Sequence, residues 1–157
     1  MAESILFFNA DVDYVLRDKR KIRAWLELCV CKKKRRLGSL TFVFCSDGYL
    51  RKMNKRFLGH DYNTDIITFA LHPDTDKTIS GEMYISIDRV KSNASDYGVS
   101  FIAELRRVLV HGVLHLCGLN DKTAAETTKM RAEENRLMAL LEKFDYPINI
   151  NNLKQTT

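Results

Sequence analysis

The sequence lacks several marks that would place it quickly. No apolar run approaches the length of a membrane span, and the N-terminus has no charged start and cleavage site of a signal peptide. A soluble, cytoplasmic chain with no membrane partner is therefore expected. There is no internal repeat, no Gly-rich phosphate loop and no linker between separate units. Four cysteines, Cys29, Cys31, Cys45 and Cys117, follow neither a disulfide framework nor a zinc-ribbon spacing. Cys29 and Cys31 stand two apart in a predicted helix and do not face each other. All four lie in apolar surroundings and read as reduced core residues, which agrees with a cytosolic location.

What is present is ordinary for a folded domain. The 157 residues are 45% hydrophobic and 29% charged, enough for one domain with a real core. The net charge of +5 favours acidic partners such as nucleic acid, although charge alone is weak support. Apolar and β-branched runs predict strands at 5–8, 40–45, 65–71 and 82–87. Helical spacing predicts a helix over 21–36 with Ile22, Trp25, Leu26 and Cys29 inward, ending in the run Lys32 to Arg36. Such a run suits a solvated helix end, with an RNA-phosphate patch as the lesser alternative. Gly38 is expected to mark the stop. Ser46 is expected to cap a helix with Leu50, Met53 and Phe57 inward, and Asp88 to cap a short helix ending near Gly98. Ser100 is expected to cap a helix over 101–117. Thr123 and Glu126 form a capping box opening a last helix, with Met130, Leu137, Leu141 and Phe144 on its core face. Strands interleaved with helices, two of them at the end, predict an α+β layer fold. It is a small mixed sheet with helices packed around it. One domain is expected over 1–147, followed by a loose polar tail over 148–157.

The chain is organised around 109–121. From Val108 to Leu119 every residue is apolar or glycine except His111 and His115. Four apart on a helix, these two share a face with Cβ atoms about 5–6 Å apart. Gly118 permits a left-handed exit from the helix, and Asp121 can fold back toward both rings. A lone histidine on such a face is more often a buried side chain bonded to a carbonyl. Two at this interval, with glycine and carboxylate at matching offsets, point to a three-ligand metal site of His111, His115 and Asp121 with a fourth position for water. A zinc ion would lower the pKa of that water to about 7, giving a hydroxide able to attack carbon or phosphorus.

The spacing His-x3-His-x2-Gly-x2-Asp resembles the metzincin metallopeptidase signature. In metzincins a Glu follows the first His as general base; here that place holds Gly112. The substitution disfavours amide hydrolysis and leaves phosphodiester cleavage, where cationic help matters more than a carboxylate base.

The run 111–121, His-Gly-Val-Leu-His-Leu-Cys-Gly-Leu-Asn-Asp, is similar to the His-Gly-x-Leu-His-Leu-x-Gly-Tyr-Asp-His pattern of the YbeY family of metal-dependent endoribonucleases. Asn54 to Phe69 resembles that family's Asn-x-x-Tyr-Arg-x-x-Asp-x-Pro-Thr-Asp-Val-Leu-Ser-Phe block, and Gly81-Glu82-Met83-Tyr84-Ile85 its Gly-Asp-Ile-x-Ile. The resemblance spans about 40–141. It implies a mixed sheet with surrounding helices and a zinc ion. It further implies a single metallo-endoribonuclease domain acting on single-stranded RNA, especially ribosomal RNA precursors, at the ribosome, with the small subunit as a candidate partner, in a bacterial cytoplasm.

Three departures bear on the site. Asp121 stands where the usual third ligand is His, so Mn, Fe or Ni become more plausible beside zinc. Leu58 stands where the family has Arg, and Arg56 or His60 is expected to supply the missing phosphate contact, His60 being favoured. Asn63 replaces Pro and changes loop stiffness. Thr64 is a candidate substrate contact or a structural cap, and Asp65 is expected to fix the loop or support a ligand without binding the metal. The expected activity is endonucleolytic cleavage of RNA, with His111, His115, Asp121 and His60 as the catalytic set. The rivals are a zincin-like peptidase and a non-catalytic ribosome assembly factor with a structural metal.

Overall fold

A computed structural model of the protein describes residues 4–145; the predicted tail over 148–157 lies outside the described residues. Four strands, β1 (Ile5–Asn9), β2 (Arg36–Cys45), β3 (Ile66–Ala70) and β4 (Thr78–Ser86), form one sheet in the order β1-β2-β4-β3. β1 runs parallel to β2 and β2 parallel to β4, whereas β3 is antiparallel to β4, so the sheet is mixed. Around it lie α1 (Lys19–Lys32), α2 (Asp47–Leu58), α3 (Ile87–Tyr97), α4 (Phe101–Leu116) and α5 (Ala124–Asp145). This is the expected α+β arrangement.

Alternation along the strands divides the core. Leu40, Phe42 and Phe44 of β2 and Ile79, Met83 and Ile85 of β4 join α1, α4 and α5 in the main cluster. The intervening face carries Cys45, Ile67, Phe69 and Tyr84, covered by Leu50 and Met53 of α2. Phe57, expected on that inward stripe, is instead 56% exposed, its ring set edge-to-face with Phe69. The buried residue one turn earlier is Asn54.

The basic run departs from its expected reading. α1 stops at Lys32, Lys34 takes a left-handed backbone at φ 58°, and Arg36 already belongs to β2. Lys33 bonds Glu133 of α5 at 3.0 Å, and Arg35 donates to the carbonyls of Asp76 and Cys117. The run thus ties a turn to three distant segments, α5, the loop after β3 and the end of α4. Gly38 ends nothing. It lies inside β2 at the shift of register against β4, where a Cβ would overlap Ser80 Oγ and approach the Ile79 carbonyl to 2.6 Å. β4 also begins earlier than expected, so the hairpin loop after β3 is shorter.

The caps at Ser46 and Ser100 are as expected, their hydroxyls accepting from Tyr49 N and Ala103 N. α3 is capped by Ser86, because Asp88 is already within it and accepts from Asp47 N at 2.9 Å. Cys31 is exposed, unlike the other three cysteines. No helix among the described residues is long and apolar enough to cross a membrane.

Candidate metal centre and cleft

Two glycines bring α4 down onto the sheet. A Cβ on Gly112 would lie 2.8 Å from Ile66 Cδ1 and 2.9 Å from Met83 Sδ, and one on Gly81 would lie 2.8 Å from both Leu116 methyls. With Gly112 turned to the sheet, His111 and His115 fall on the open flank of the helix, each partly buried. The helix ends at Leu116, and Gly118 takes φ +99°. Leu119 N then closes on the Leu114 carbonyl at 3.0 Å, in the manner of a Schellman turn. Arg35 Nη2 caps the Cys117 carbonyl from outside at 3.2 Å. The returning chain is fastened where Thr127 Oγ1, in the first turn of α5, donates to the Asp121 carbonyl at 3.1 Å.

The turn delivers Asp121 to the two rings. Its Oδ2 lies 3.4 Å from His111 Nε2 and 3.3 Å from His115 Nε2, and the two Nε2 atoms are 3.0 Å apart. Bonds of 2.0–2.2 Å to a tetrahedral ion place ligand atoms about 3.3 Å from one another. The triangle therefore has the size of one face of such a coordination shell, and the residues fit a divalent cation. Among the described residues this is the single group of three or more His, Cys, Asp or Glu side chains with ligand atoms gathered so closely.

Behind the triangle stands a residue the sequence reading missed. Glu134 of α5, only 4% exposed, holds His111 Nδ1 at 2.7 Å by Oε2 and Arg107 Nη1 at 2.9 Å by Oε1. Burial pushes its carboxyl up, but the bonds from His111 and Arg107 outweigh that and leave it below the usual range. An ionised Glu134 accepts from His111 Nδ1–H, which leaves the Nε2 lone pair facing Asp121 and His115. Burial works against a charged His111, yet Glu134, then Asp65 and Asp121, raise its pKa above the ordinary value. A cation at the triangle would take the place of that proton. A signal for Glu134 was present: it falls on the stripe Met130, Leu137, Leu141, where a carboxylate has no apolar reason to be.

Two cavities flank the triangle, about 190 Å³ and about 600 Å³, and both touch Asp65, His111 and Asp121. Asp65 is raised in pKa by burial, with His111 partly opposing it. Its carboxylate is not one of the gathered ligand atoms. The larger cleft is bounded by edge strand β3, the loop after α2, and Lys122. His60, Thr64 and Leu58 line it. Arg56 does not; its guanidinium lies over the Phe57 ring, 5.3 Å from the centroid.

Residues 9–142 match the family model described as Endoribonuclease YbeY. The chain is 47% identical over 138 residues to the protein of that name from Cytophaga hutchinsonii, covering 88% of this chain and 96% of that one. It is 42% identical to the one from Amoebophilus asiaticus, covering 86% and 91%. The solution structure of TM1509 from Thermotoga maritima shares the fold, with a TM-score of 0.59 and 23% identity over 88% of this chain and 92% of that one. A match running through the helix of the two histidines, its exit turn and α5 leaves one assignment: the chain belongs to the endoribonuclease YbeY family.

Proposed function

We propose that the chain is a metal-dependent endoribonuclease in which His111, His115 and Asp121 hold one divalent ion, zinc by preference, beside a cleft that takes single-stranded RNA. Ribosomal RNA precursors are the proposed substrate, the small ribosomal subunit the proposed partner, and the cytoplasm the place of action. The observation that carries the reading is the triangle of Nε2, Nε2 and Oδ2 at 3.0–3.4 Å, backed by the Glu134 bond that sets the His111 tautomer. A bound divalent ion supplies Lewis acidity and acidifies water. The chain supplies the rest. Arg107 and Glu134 keep His111 oriented, Thr127 holds the backbone of Asp121, and Lys122 and His60 offer positive or protonatable groups to phosphate along the cleft. Asp65, on the boundary of both cavities with a raised pKa, can hold a proton at its carboxyl.

A peptidase of the metzincin kind finds no support. The place of the metzincin base holds Gly112, which has no side chain, and a Cβ there would lie 2.8 Å from Ile66 Cδ1 and 2.9 Å from Met83 Sδ, so the packing of α4 on the sheet leaves no room for a carboxylate side chain. The test is cleavage of a single-stranded RNA by purified protein. His111→Ala is expected to lower the rate about 100-fold or more, since several kcal/mol of charge stabilisation goes with the ion. Equal rates overturn the reading. Glu134→Gln is expected to weaken metal binding about 10–100-fold while leaving the circular dichroism unchanged. Metal removal that unfolds a protein which never cuts RNA would point to the assembly-factor alternative.

A further inference from the structure

We propose that the ring of Tyr62, braced by His60, is a stacking platform for one nucleobase of the strand in the cleft, an inference that rests on the RNA reading above. The rings of His60 and Tyr62 lie 5.2 Å apart and 16° from parallel, and Tyr62 Oη is 3.0 Å from His60 Nδ1. Both residues line the cleft that holds His111, His115 and Asp121. A stack of two rings uses one face of each, and Tyr62 remains 55% exposed.

The loop carrying the pair is held from within. Asn54, 2% exposed, donates from Nδ2 to the Tyr62 carbonyl at 3.0 Å, and its own carbonyl accepts from His60 N at 3.2 Å. Gly59, left-handed at φ +69°, turns the loop off α2, and Arg51 pairs with Asp61 at 2.9 Å. An aromatic ring presented on a backbone fixed in this way loses little freedom when a base settles on it. Leu58, 49% exposed, lines the same cleft and adds apolar surface to it, and Lys122 is the lysine in that lining. Unpaired bases of single-stranded RNA stack on tyrosine and histidine in this way, with little regard for which base it is.

The experiment measures binding without cleavage, by fluorescence anisotropy of a labelled single-stranded oligoadenylate in the presence of chelator. A strand of equal length with abasic positions serves as the second probe. Tyr62→Ala is expected to raise the Kd for oligoadenylate about tenfold or more, with no change on the abasic strand. The slope of log K against log salt should stay as in the wild type, because no phosphate contact is lost. Tyr62→Trp should bind as well as the wild type or better. The proposal is overturned by wild-type binding in Tyr62→Ala, by an equal loss on the abasic strand, or by a Trp variant as weak as the Ala one. A wild type that binds no oligonucleotide also overturns it. Cleavage that survives His111→Ala while stacking persists would remove the catalytic reading alone.

Discussion

At the scale of single residues, two buried carboxyls near the metal ligands have different fates. Glu134 is ionised because His111 and Arg107 bond to it, whereas Glu104, 5% exposed, is raised in pKa by burial, with Arg107 partly opposing and Asp65 adding to the rise. The folded state thus favours protonated Glu104. Its contribution is stabilising below the ordinary value of 4.5 and is lost as pH rises through the raised one. Glu104→Gln is therefore expected to stabilise the metal-free protein by about 1 kcal/mol at pH 7. The gain should vanish as pH falls below 4.5, which thermal melts at several pH values will show. A variant less stable than wild type at pH 7 would contradict this. The cysteines follow the same logic: burial pushes Cys29 and Cys45 up to about 12 and Cys117 to about 11, so these three are inert thiols of the core.

At the scale of elements, the exit from α4 is the part on which the site depends. Gly118 at φ +99° permits the turn, and the three residues after it bring Asp121 back over the helix it has just left. Gly118→Ala forces a side chain into that left-handed backbone and is expected to destabilise the protein by about 1 kcal/mol. It should also weaken metal binding by displacing Asp121, which a competition titration with a chelating dye will measure; unchanged affinity would mean the turn reforms without glycine. Most elements were legible because their signals are local. The capping box is seen as drawn, Thr123 Oγ1 accepting from Glu126 N at 3.1 Å and Glu126 Oε1 from Thr123 N at 3.0 Å. The passage from α1 to β2 was not legible. A run of five basic residues looks the same whether it extends a helix or breaks it, and only the distant partners of Lys33 and Arg35 decide.

At the scale of the whole molecule, α5 locks the arrangement. Trp25 of α1 is fully buried and donates from Nε1 to the Leu137 carbonyl of α5 at 2.8 Å, while Lys33 reaches Glu133. Between Met130 and Leu137 the same helix presents Glu134 to His111. Trp25→Ala is expected to destabilise the protein by about 3–5 kcal/mol through the cavity and the lost bond, read as a lowered midpoint in urea. Loss of metal affinity should accompany it under folded conditions, as α5 shifts on the core.

The sequence by itself determined the two histidines on one helical face, the glycine that ends their helix and the carboxylate three residues on. Helical period and glycine's freedom at positive φ are properties of neighbouring residues. It also showed the alternation of sheet and helix and the resemblance to a nuclease family. Only the tertiary structure decided that Gly112 faces the sheet, that Arg56 lies outside the cleft while His60 lines it, and that Glu134 stands behind His111. Those facts concern groups far apart in the chain. They are settled by which helix packs on which, since a buried charge is stable only where packing brings it a partner.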